Sequence, residues 1–250
     1  MRNFFIIGHN PNTVEEAVAY LKNGANALEP DIHFTNGDYY LGEGTTSTDL
    51  SLTAYLEGLS RELVANPALT PALIMFDTKN STGKILDILN CVKANFTSRF
   101  TQTVIVITRS QATEEEHVFF APASGELGSN FALGVDEYTH PEDVNSLFKS
   151  MNVSNYTFAD GISVPVHGTA IPFIIELFWT RIKHAVAVRD QGNGFRMVYT
   201  WTLDNPVDIH SFLKLNTDGI ITDDPGKLKE ILLSYPDQYK LAPLGYNPFA

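Results

Sequence analysis

The sequence predicts a (β/α)8 TIM barrel of class α/β, and three observations predict it. Apolar, β-branched runs alternate with helix-period segments from end to end, eight strand signals can be counted, and 250 residues is the size such a fold needs. The competitor, a doubly wound open sheet, is weakened because Gly8-His-Asn-Pro-Asn follows the first strand where a glycine-rich phosphate fingerprint belongs. The expected strands are Phe4–Gly8, Ala27–Phe34, Ala72–Asp77, Thr103–Thr108, Phe131–Val135, Asp160–Pro165, Met197–Thr202 and Asp218–Thr222. Of the helices between them, the first is the clearest. Thr13-Val-Glu-Glu16 is a capping box, Val14, Ala17, Val18 and Leu21 make one apolar stripe, and Gly24 supplies the stop. Others are expected near 50–65, 82–94, 141–151, 171–188, 206–215 and 225–233. With no linker, repeat or low-complexity stretch, residues 1–250 are expected to form a single domain.

Composition narrows the function. Seventeen Lys and Arg against 29 Asp and Glu give a formal charge of −12, which argues against nucleic acid or an anionic membrane as partner. A neutral lipid, or a phosphate bound through a metal ion, is compatible with it. The one cysteine, Cys91, forbids an intramolecular disulfide and reads as a buried, inert thiol on a helix face. No apolar run approaches the roughly 20 residues of a membrane span. The short apolar run at Phe4–Ile7 is a strand rather than a signal-peptide core, so a cytoplasmic protein is expected over a secreted one. Four Asn-x-Ser/Thr sites, at Asn80, Asn95, Asn152 and Asn155, point the other way. Oligomeric state is left open.

In a barrel the active site gathers at the strand ends. Those ends present His9; Glu29, Asp31 and His33; Asp77 and Lys79; Tyr199, Trp201 and Asp204; and Asp223 with Asp224. Glu29, Asp31 and His33 share one face because side chains alternate along a strand. Three carboxylates from two neighbouring strands (Glu29, Asp31, Asp77) make a hard oxygen site for Mg2+, with Ca2+ second, since crowded like charges are costly without a cation. Lys79 faces the same way and can hold an anionic oxygen. Tyr199 and Trp201 read either as core aromatics or as an apolar wall at the mouth. His117, His184 and His210 lie on helical patterns and read as solvated or packed.

The collinear stretches Ile7-Gly-His9-Asn, Gly24-Ala-Asn-Ala-Leu-Glu29-Pro-Asp31-Ile, Phe76-Asp77-Thr-Lys79, Gly134-Val-Asp136, Asp160-Gly-Ile162, Tyr199-Thr-Trp201-Thr-Leu-Asp204 and Asp218-Gly-Ile-Ile-Thr222 carry a resemblance. The sequence resembles the sphingomyelinase D and phospholipase D toxins of spiders and corynebacteria, relatives of the glycerophosphodiester phosphodiesterases. The resemblance implies a distorted barrel whose C-terminal tail, Lys240-Leu-Ala-Pro-Leu-Gly-Tyr-Asn247-Pro-Phe249, plugs the base. It implies one Mg2+ on Glu29, Asp31 and Asp77, with Lys79 on the phosphate. Tyr199 and Trp201 would line a headgroup pocket with Asp204 beside them, and His9 would be one of two catalytic histidines. The substrate would be a small-molecule or lipid phosphoester, often cleaved by its own hydroxyl to leave a cyclic phosphate.

One departure stands out. The family's second histidine falls in Tyr39-Tyr40-Leu41-Gly42-Glu43-Gly44-Thr45-Thr46, where Glu43 takes its place and the loop cysteines are absent. Three functions follow: phosphodiester cleavage with His9 and either Glu43 or His33 moving protons; metal-dependent lyase or cyclase chemistry on a phosphate or diphosphate ester; or a binding protein without turnover.

Overall fold

A computed structural model of the chain describes residues 1–44, 50–79, 83–109, 116–136, 140–161, 172–192 and 194–250, with backbone alone at 116 and 172–176. The strands are β1 (Arg2–His9), β2 (Ala27–Glu29), β3 (Asp31–Thr35), β4 (Asp38–Leu41), β5 (Leu73–Lys79), β6 (Val104–Arg109), β7 (Phe131–Val135), β8 (Tyr156–Gly161), β9 (Met197–Trp201), β10 (Gly219–Thr222) and β11 (Tyr239–Leu241). The helices are α1 (Val14–Lys22), α2 (Leu52–Ala65), α3 (Ile85–Val92), α4 (Glu116–Phe120), α5 (Pro141–Ser150), α6 (Pro172–Asp190), α7 (Pro206–Leu213) and α8 (Pro225–Leu232). Parallel pairing runs β1–β10–β9–β8–β7–β6–β5 and closes through β2, which pairs with both β5 and β1. Since β3 continues β2 past Pro30, the barrel has eight parallel staves with helices between them, the expected architecture.

Strand alternation divides the apolar residues into two cores. Phe4, Ile6, Leu28, Ile32, Ile74 and Phe76 face outward, beneath the helices. Phe5, Ile7, Ala27, Leu73, Met75, Val106 and Ala159 face inward and fill the barrel. The inward series continues at the C-terminal strand ends into polar residues: 5, 7, 9 on β1; 27, 29, 31, 33 along β2 and β3; 73, 75, 77, 79 on β5. The same parity that builds the inner core therefore delivers His9, Glu29, Asp31, His33, Asp77 and Lys79 to the mouth.

At the other end, β11 lies parallel to β1, and the Asn26 amide donates to the Phe4 and Ala242 carbonyls at 3.1 and 3.0 Å. Phe249 then packs in the inner core and Tyr246 against it, so the tail closes the base as expected. Asp218 accepts from Arg2 at 2.8 Å and from Arg189 of α6, tying that end together.

Three expectations need correction. The sixth barrel strand is Tyr156–Gly161 rather than Asp160–Pro165; residues 162–165 lie outside the described residues, as do residues 168–171 at the start of the apolar segment Gly168–Trp179. The reason is that Tyr156 and Phe158 face the outer core while Thr157 and Ala159 face inward, a period-two signal weaker to the eye than the Ile162/Val164 pair. The second expected strand is broken at Pro30, which has no N–H to give the ladder. Two short strands, β4 and β11, join an edge outside the barrel path. No helix among the described residues is long and apolar enough to cross a membrane.

Candidate active site

Glu29, Asp31 and Asp77 are buried, with residue exposures of 4%, 0% and 3%, and one oxygen from each lies within 4.8 Å of the others. Asp31 and Asp77 are register partners on β3 and β5, and Glu29 pairs with His9 on β1, so three adjacent staves meet here. The loop after β1 braces the cluster. Asn10, at φ 50°, donates its N–H to the Glu29 carboxylate at 3.2 Å. Asn12 receives the Asp31 N–H at 2.9 Å and returns an amide bond to the Asp31 carboxylate at 3.3 Å. Lys79 reaches Asp31 at 3.1 Å and also binds Asp77.

Electrostatics make this a strained set of charges. Burial, then the charges of Asp31 and Asp77, push the Glu29 carboxyl well above the usual range. Burial also raises Asp31, against the pull of Lys79. Burial would lower the Lys79 ammonium, but Asp77, Asp31 and Glu29 outweigh it and raise it. The Asp77 Oδ1 atom is buried without a hydrogen-bond partner among the described residues. An all-oxygen cluster with an unspent acceptor fits a hard divalent cation.

His9 sits on one side, its Nδ1 2.7 Å from Asp223 Oδ1. Asp204 builds the turn that presents Asp223: its Oδ1 accepts from Thr222 Oγ1 at 2.7 Å and from the Asp223 N–H at 2.8 Å. Asp204, expected to bind substrate, has its Oδ1 committed to the β10–α8 turn. Trp201 is half-buried, and its indole N–H has no partner among the described residues. Gly161 lets its backbone approach, since a Cβ there would lie 1.7 Å from the Trp201 carbonyl oxygen.

Tyr199 is fully buried and donates its hydroxyl to Asp136, so it belongs to the floor rather than to an exposed wall. His33 is buried at 4% exposure, with Nδ1 2.8 Å from the Gly42 carbonyl. Glu43 is exposed, unlike the buried carboxylates, while Thr45 and Thr46 of the same loop lie outside the described residues. Sequence reasoning gave no role to Asn10, Asn12, Asp136 or Asp223. The signal for Asp136 was parity: one residue past β7, it continues the inward series of Ala132 and Gly134.

Asp136 carries a pH prediction. Burial, with the Asp77 charge behind it, pushes its carboxyl up to about 8, against the Tyr199 hydrogen bond. Between the unfolded value of about 4 and that folded value, the native chain holds a proton the unfolded chain has released, so stability falls as pH rises through this window. Asp136→Asn removes the dependence. In metal-free protein, the melting temperature of the variant relative to wild type should therefore climb between pH 5 and pH 8; a difference that stays constant would contradict the assignment.

Comparison with known proteins agrees with this architecture. A family profile described as "Dermonecrotic toxin SPH" matches residues 88–249. Dermonecrotic toxin LapSicTox-alphaII1 of Loxosceles apachea is 25% identical over 277 residues, covering 98% of each chain. LiSicTox-alphaIA2bi of Loxosceles intermedia is 26% identical over 290 residues, covering 99% of this chain and 89% of the toxin. Among solved structures, a glycerophosphodiester phosphodiesterase from Parabacteroides distasonis aligns with TM-score 0.62 at 14% identity, covering 94% of this chain and 99% of the other. A phosphodiesterase from Oleispira antarctica, solved with the product sn-glycerol-3-phosphate, gives 0.63 at 10% identity over 91% and 96%. At those identities the likeness bears on the fold. The toxin relatives overturn the expectation of a cytoplasmic protein, because a toxin acts away from the cell that makes it. That expectation had rested on the residues ahead of the first strand, which say nothing about export. Of the four Asn-x-Ser/Thr sites, Asn80 lies outside the described residues and Asn152 is exposed. The amides of Asn95 and Asn155 bond main-chain carbonyls.

Proposed function

Because the chain belongs to the dermonecrotic toxin SPH family, we propose that it cleaves a phosphodiester with the help of one Mg2+ held by Glu29, Asp31 and Asp77. The observation that carries the reading is the convergence of three buried carboxylates with Lys79 at the barrel mouth. Burying that much like charge is costly, and a site without a cation to bind has no use for it. Three carboxylates suit Mg2+, which keeps several waters in its octahedral shell and takes few protein oxygens, better than the larger Ca2+ with its six to eight ligands. The cation supplies neutralisation of the phosphoryl oxygens as charge builds on them.

The chain's own residues do the rest. Lys79 contacts the phosphate from the same rim. Trp201, whose indole N–H has no partner among the described residues, lines the headgroup side above the floor formed by Tyr199 and Asp136. His9 transfers a proton, and Asp223 accepts a hydrogen bond from its Nδ1 so that Nε2 is the working atom. The substrate is a lipid or small-molecule phosphoester of the choline type. Choline release from sphingomyelin, lysophosphatidylcholine or glycerophosphocholine tests this: it should occur in Mg2+, stop in EDTA and return on Mg2+ addition. Release that persists in EDTA would contradict the metal assignment.

A further inference from the structure

We propose that His33 supplies the second imidazole of the site, acting from β3 as the group that takes the proton of the attacking hydroxyl; this rests on the phosphodiester reading above. Ile32 packs in the outer core, so its neighbours Asp31 and His33 face the mouth. His33 pairs in register with Lys79, one row above the Asp31–Asp77 pair. The His33 ring bonds the turn after β4, the strand on the other edge of β3 from β5, while His9 stands on β1.

The protonation of the ring follows from its partner. A carbonyl oxygen can only accept, so Nδ1 carries the hydrogen and donates it to Gly42 at 2.8 Å. In the neutral ring Nε2 is then a bare lone pair. That atom is buried and has no hydrogen-bond partner among the described residues. Leaving a buried acceptor unpaired is costly, and a purely structural histidine has no reason to carry that cost. Among the described residues, the cluster whose ligand atoms lie within 4.8 Å of one another is Glu29, Asp31 and Asp77, so the ring is outside the proposed ligand set.

The turn around Gly42 is built to hold this tautomer. Gly42 sits at φ 106°, a conformation open to glycine, and its N–H donates to the Asp31 carbonyl at 2.9 Å. The turn is therefore latched to the strand that carries both Asp31 and His33. Gly44 follows over the ring, where a Cβ would lie 3.8 Å from His33 Cγ. The loop thus does not supply the second group through Glu43, whose side chain is exposed. It positions His33 by a main-chain bond.

The step balances. His33 Nε2 accepts the proton of a hydroxyl, from the substrate or from water, as that oxygen bonds to phosphorus. The bond from phosphorus to the leaving alcohol breaks, and the departing oxygen takes a proton from His9. His33 ends protonated and His9 deprotonated, and exchange with solvent resets both.

His33→Asn is the informative variant, because an Asn amide can replace the Nδ1 donor to Gly42 while deleting Nε2. It should lower kcat about 10²–10⁴-fold, the usual worth of acid–base help, with KM and Mg2+ affinity unchanged. Glu43→Gln should turn over at the wild-type rate. Independently of turnover, nitrogen NMR of 15N-histidine-labelled protein should show His33 protonated at Nδ1 and bare at Nε2. Undiminished kcat in His33→Asn, or a proton on Nε2 in the neutral ring, overturns the role of His33 and leaves the metal-dependent reading standing. A wild-type protein that cleaves no phosphodiester overturns both.

Discussion

Asp31→Ala should abolish Mg2+ binding in calorimetry and leave the fold intact. Asp31 is fully buried, and its carboxylate meets Lys79 on one oxygen and Asn12 on the other. Loss of a neighbouring partner to a metal ligand already costs about 10–100-fold in affinity, so loss of the ligand itself should exceed that. Stability should change little, because two effects oppose. The Asn12 amide and Lys79 each lose a partner, which destabilises. Glu29 and Asp77 lose a buried like charge, which stabilises. Circular dichroism and melting temperature read the fold, and calorimetry reads the site. Wild-type Mg2+ affinity in Asp31→Ala would remove the carboxylate cluster as the metal site.

His9→Asn should reduce turnover by about 10²–10⁴-fold without loss of Mg2+ binding. His9 bonds Asp223, 214 residues away in sequence, and that carboxylate is presented by the Asp204 turn. An Asn side chain can keep a hydrogen bond to Asp223 but has no atom at the place of Nε2. The loss should therefore appear in kcat rather than KM, measured by choline release at saturating substrate. An unchanged kcat would take His9 out of proton transfer.

Strand parity made much of this site readable from sequence. Glu29, Asp31 and His33, or Asp77 and Lys79, are spaced by two, so placing the strands places the side chains. The first helix was equally legible, since the Thr13 side chain accepts from the Glu16 N–H and the Glu16 side chain returns to Thr13. What stayed hidden depends on contacts between distant segments. The Tyr199–Asp136 bond spans 63 positions, and no local pattern announces it. With Glu43 at the family's histidine position, the sequence leaves the second group open between Glu43 in the loop and His33 on the strand. Only the bond from His33 to the Gly42 carbonyl ties that loop to an imidazole already on the strand. The sixth barrel strand was set too far along because β-branched residues outweighed a subtler alternation at Tyr156–Gly161.

Phosphorus NMR with Mg2+ tests the central claim most directly, with Asp31→Ala as the blank and sphingomyelin, lysophosphatidylcholine, glycerophosphocholine and an isoprenyl diphosphate as substrates. Phosphodiester cleavage predicts a new cyclic-phosphate or monoester resonance from at least one of the choline esters, absent in the blank. Free diphosphate from the isoprenyl compound, with every choline ester unchanged, would contradict it and place the chemistry on a diphosphate leaving group.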